Sequence, residues 1–106
     1  MENQHRKIKG YRELPQPEID LMNRIKAKGA ELLQLQAELA GRLSTDLEVK
    51  SSDAKRVGME KTAADECVEL RRFQAAEPLR WASIGKTDIQ TGIMALVRAV
   101  AQPGEC

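Results

Sequence analysis

Leu79-Arg80-Trp81-Ala82-Ser83-Ile84-Gly85-Lys86-Thr87-Asp88-Ile89-Gln90-Thr91-Gly92-Ile93-Met94-Ala95-Leu96-Val97-Arg98-Ala99-Val100-Ala101-Gln102-Pro103 carries the clearest periodicity in this 106-residue chain and its only Trp. Trp81, Ile84, Ile89, Ile93, Leu96, Val97 and Val100 recur at steps of three and four around a gap at Gly85, which is the period of one helix face. Pro78 suits a first-turn position, where its missing N–H removes no helical bond. Pro103 stands where a helix stops. The spacing predicts a helix over 78–102. Gly85 and Gly92 interrupt it one heptad apart, and Ala99 continues the row. Each glycine costs about 1 kcal/mol against Ala, and such a row lets another backbone or a ligand come close.

Working toward the N-terminus, charged residues dominate 59–76: Glu60, Lys61, Asp65, Glu66, Glu69, Arg71 and Arg72 outweigh sparse apolar positions at Met59, Ala63, Val68, Leu70 and Phe73. This predicts a charged helix elaborating a hairpin. Residues 44–58 have the weakest pattern and read as a linker, with Ser51-Ser52-Asp53 as a turn or helix N-cap. A first long helix is expected over 17–43. Pro17 opens it, and Glu18 and Asp20 favour its positive end. Met22, Ile25, Gly29, Leu32, Gln36, Leu39 and Leu43 form a heptad seam. Gly29 on that seam predicts close packing or a kink. Residues 1–16 read as a polar arm in which Gly10 permits a turn beside Tyr11, among His5, Arg6, Lys7, Lys9 and Arg12. A solvated basic tail is the plain reading of such a run. The functional one is an anion site, where an aromatic face stacks a base beside cations that hold its phosphate.

The expected architecture is therefore all-α: one domain over 1–106, a long helical hairpin with a kinked first helix and an N-terminal arm. With aromatics at 3%, the chain depends on aliphatic stripes that long helices bury against another chain, so a compact homo-oligomer is expected. A formal net charge of +1 provides no strong field for duplex DNA. No apolar run is long enough to span a membrane and no signal-peptide core is present. Cys67 and Cys106 lack metal-ligand spacing, and two free thiols fit a reducing cytosol.

No catalytic constellation emerges. The single His lies in the arm without a partner set by spacing, neither Cys has a nucleophile context, and no metal or cofactor is implied. Gly85-Lys86-Thr87 matches the end of a phosphate loop, but Arg80 occupies the position of its first glycine and no strand precedes it. These groups can still present a cation and a hydroxyl to a phosphate at a helix surface.

The run Arg80-Trp81 through Gly85-Lys86-Thr87-Asp88-Ile89-Gln90-Thr91-Gly92 to Gln102-Pro103 resembles the C-terminal motif of phage anti-CBASS cyclic-oligonucleotide sponges, relatives of the anti-Thoeris signal sponges. Ile8-Lys9-Gly10-Tyr11-Arg12-Glu13-Leu14 and Met22-Asn23-Arg24-Ile25-Lys26-Ala27-Lys28-Gly29 resemble the same family. The resemblance implies a helical hairpin assembled as a homohexamer in the cytoplasm of an infected bacterial host. It implies that the protein holds cyclic dinucleotides such as cyclic GMP-AMP without cleaving them, and so is not an enzyme. Tyr11 would stack a base and Lys26 would meet the phosphates at a site between protomers, with Gly10 and Arg12 beside them. A separate cyclic trinucleotide site would use Arg80, Lys86 and Thr87. The sequence departs from the family in a longer 44–76 region and in a tail, Gly104-Glu105-Cys106, without an aromatic ending. From the residues alone, two other readings stay open: a helical oligomeric interaction module, and a single-stranded nucleic-acid binder working through its arm.

Overall fold

A computed structural model describes residues 13–104. Three helices fill them: α1 (Gln16–Val57), α2 (Asp65–Ala76) and α3 (Pro78–Ala101). No strand occurs among the described residues, so the protein is all-α.

The start of α1 is built as expected. The Pro15 carbonyl accepts from the N–H groups of Glu18 and Ile19 at 3.0 and 3.1 Å, and Glu18 lies in the first turn. Its end corrects the sequence reading. Residues 44–57 are not a linker; they continue α1 to Val57, and Ser51-Ser52-Asp53 lies inside the helix rather than capping a new one. The physical reason is that the inward face here mixes small residues with aliphatic ones. Leu47, Ser51, Ala54 and Val57 recur at helical steps, and Ala54 is 0% exposed. The Thr45 hydroxyl donates to the Gly41 carbonyl one turn back at 3.2 Å. Lys55 and Arg56 in the last turn complement the negative end of the dipole.

Gly58 stops the helix. Its φ of 102° is open to glycine at no steric cost, and its N–H donates to Ala54 and Lys55. Residues 58–64 are turns, so the charged helix expected over 59–76 occupies only Asp65–Ala76. Asp65 and Glu66 favour its N-terminal end. A single residue, Glu77, joins it to α3 with φ 50° and ψ 49°, the left-handed region.

The described residues gather into two compact units, 13–33 with 87–104, and 34–86. In the first, the beginning of α1 packs on the end of α3 as a helical hairpin. Gly29 is buried in this contact; a Cβ placed on it would land on Ile93 Cδ1 and stand 2.6 Å from Cγ1. The close packing expected at Gly29 is thus found, and helix α1 continues unbroken through it.

The second unit has a core of its own. Ala54, Cys67 and Leu70 cluster with Leu47, Val57 and Ala64 around them, and Phe73 is also buried. Burying side chains of the size of Leu70 and Phe73 stabilises by about 1.5–3 kcal/mol each. The Cys67 thiol donates to the Gly58 carbonyl at 3.6 Å, tying the turn to the core. The Gln36 amide donates to the Ala82 carbonyl at 2.9 Å.

Candidate functional site

In the unit of residues 13–33 and 87–104, Lys26 stands exposed on α1 and forms no ion pair with another described residue. Two positions to either side, Arg24 and Lys28 line an apolar groove of about 720 Å³ walled by Leu21, Ile25 and Leu32 of α1 and by Ile89, Gly92 and Leu96 of α3. Two helical positions correspond to about 200° of rotation, so Lys26 points away from this groove. The helix therefore presents two cationic faces, one beside apolar surface and one free in solvent. Lys28 is paired with Glu31 at 3.7 Å, a weak exposed contact. Gly10, Tyr11 and Arg12, the other expected dinucleotide residues, lie outside the described residues.

The expected trinucleotide residues all fall on α3 and all are exposed. Arg80 lies over the Trp81 ring with its guanidinium carbon 5.2 Å from the centroid. Arg80 and Lys86 belong to 34–86, and Thr87 to the other unit.

Sequence reasoning passed over the groove because it forms from segments some sixty positions apart, about the distance from Ile25 to Ile89. The spacing of Arg24, Lys28, Leu21, Ile25 and Leu32 along one helix face was the available signal. Other apolar side chains are bare as well: in 34–86, Leu35 is 61% exposed and Trp81 59%, and in the other unit Met94 is 71% exposed.

Electrostatics elsewhere are local and structural. In 34–86, Glu69 accepts two hydrogen bonds from Arg72, at 2.8 and 2.6 Å, and meets Lys50 at 3.2 Å. The Arg72 bonds, then Lys50, hold its carboxyl down at about 2. Lys50 also lies 5.6 Å from the centroid of Phe73. Arg71 donates to the Thr62 carbonyl at 2.7 Å and fastens the turn to α2. Among the described residues no cluster of His, Cys, Asp and Glu is arranged to hold a metal, and no helix is long and apolar enough to cross a membrane.

Comparison with known proteins gives two findings. The chain matches the family described as Acb2/Tad1, hairpin domain, over residues 3–48 and 45–101. It is also 72% identical over 108 aligned positions to a protein of Pseudomonas phage JBD67 named Anti-CBASS protein 2, with 100% of each chain covered.

Proposed function

The chain belongs to the Acb2/Tad1 hairpin family, and we propose that it blocks CBASS anti-phage immunity by sequestering cyclic oligonucleotide messengers without cleaving them. The observation that carries this reading is the likeness over its whole length to a protein named for anti-CBASS action. The site's work is binding alone. A cyclic dinucleotide offers two bases and two phosphates, and a pair of copies related by a two-fold axis offers two Tyr11 rings and two Lys26 ammonium groups. The rings would stack the bases, and the lysines would neutralise the phosphates with Gly10 and Arg12 alongside. The unpaired state of Lys26 supports this role, because no internal carboxylate among the described residues has to be displaced before a phosphate is met.

Retention needs slow dissociation, and slow dissociation needs burial between copies. The bare apolar side chains at Leu35, Trp81 and Met94 support assembly into a homo-oligomer, which we take to be a hexamer. Across that assembly both units of each chain act together as one sponge domain in the host cytoplasm. A second set of sites for cyclic trinucleotides would use Arg80, Lys86 and Thr87.

The test is direct. Purified protein is incubated with cyclic GMP-AMP, filtered, then heated, and the nucleotide is followed by chromatography. Loss of the ligand from the filtrate and its intact return on heating is the expected result, and Tyr11→Ala should leave the ligand free. Linear products would show an enzyme instead. Failure to retain either cyclic GMP-AMP or a cyclic trinucleotide would leave an interaction module as the better reading.

A further inference from the structure

We propose that Gly29 is a positioning residue for the ligand site: by lacking a Cβ it lets α1 close onto Ile93, and that spacing sets where Lys26 stands. The inference rests on the role given to Lys26 above.

Gly29 is buried in mid-helix, where glycine is a poor helix former. Its place is explained by what lies opposite. An added Cβ would fall on Ile93 Cδ1, 2.6 Å from Cγ1 and 3.6 Å from Cγ2. The Cδ1 methyl can rotate away, but Cγ1 cannot, because a β-branched side chain in a helix keeps one χ1 rotamer about nine times in ten. Relief has to come from the backbones, through a parting of α1 from α3 on the order of 1 Å. Gly41, on the same helix, has nothing within 4 Å of the corresponding position and sets no such spacing.

Lys26 lies three residues before Gly29, so it rides on the same rigid turn and moves with it. A site shared across a two-fold axis doubles the consequence: each copy brings its own Lys26, and the gap between the two ammonium groups changes by as much as twice the shift of one helix. Constellations that bind a rigid ligand tolerate about 0.5 Å.

The experiment uses the full chain, with cyclic GMP-AMP affinity by calorimetry and thermal melting measured on each variant. Gly29→Ala pushes the helices apart, and should weaken binding on the order of tenfold or more. Ile93→Ala removes the opposing group and leaves a gap; it should lower the melting temperature while affinity stays close to wild type. Gly29→Ala with Ile93→Ala together should restore affinity. If affinity falls in step with melting temperature in both single variants, or the double variant fails to recover, Gly29 is merely structural and the proposal is overturned. Lys26→Ala separates the two levels. If it binds like wild type, the reading of Lys26 fails and takes this one with it. If it loses binding while Gly29→Ala does not, the role of Gly29 alone is refuted.

Discussion

Residues 34–86 and residues 13–33 with 87–104 are held together by different means. The former has a buried cluster at Ala54, Cys67 and Leu70, a side-chain-to-backbone tie from Gln36, and a clamp of Lys50, Arg72 and Glu69. The latter depends on one close helix approach at Gly29 and leaves a groove between Leu21, Leu32 and Leu96. The former buries a small core of its own and the latter does not, yet both leave large apolar side chains bare, among them Leu35 and Trp81 in the former and Met94 in the latter. Buried packing is thus concentrated in one part of this short chain, while bare apolar surface is shared by both.

The sharpest way to break that contrast is Leu70→Ala. It opens a cavity in the core of 34–86 and should cost about 3 kcal/mol in chemical denaturation. A loss below about 1 kcal/mol would mean that this unit has no core of its own. Gln36→Ala should cost about 1 kcal/mol by the same measurement, since the Ala82 carbonyl loses its side-chain donor.

Glycine replacements sharpen the other side. Gly41→Ala and Gly92→Ala meet nothing within 4 Å. Each should raise the stability of the isolated chain by about 0.5–1 kcal/mol through helix propensity. Gly92 lines the exposed groove and Gly41 does not. Sedimentation should therefore show Gly92→Ala weakening self-association and Gly41→Ala leaving it unchanged; equal behaviour would remove the groove from the interface.

The smallest effect is electrostatic. Arg72 and Lys50 lower the Glu69 carboxyl from 4.5 to about 2. A depressed carboxylate stabilises above its unfolded value, and that contribution is lost as pH falls from about 4.5 toward 2. Acid titration of the melting temperature should show this shallow loss. Glu69→Gln should remove it, with a modest effect because the group is exposed to solvent.

How much of this the sequence disclosed depended on residue size. Helix α3 was legible almost to the residue, expected over 78–102 and found at Pro78–Ala101, because Ile89, Ile93, Leu96 and Val97 announce its face and prolines mark its ends. The first turn of α1 was legible for the same reasons. Its last stretch was not: Ser51 and Ala54 do there what large aliphatics do elsewhere, and Ser-Ser-Asp imitates a cap. Gly29 was legible as a place of close packing, but its counterpart Ile93 was not, since a single sequence does not say which distant positions meet. Lys26 reads as any surface lysine; only its resemblance to a known motif singled it out, and the fold adds that it is exposed and forms no ion pair with another described residue.

The joint at Glu77 has a consequence for descent. Helices α2 and α3 are separated by that one residue, held in the left-handed region and followed at once by Pro78, whereas α1 and α2 are separated by the turns of 58–64. An inserted or deleted residue at the first joint would rotate the whole of α3 about its axis and misdirect every side chain on it. The same change in the second is absorbed by loop. Length variation among descendants of this chain should therefore accumulate between Gly58 and Ala64 and be purged at Glu77, so that the two joints age at different rates in the same lineage.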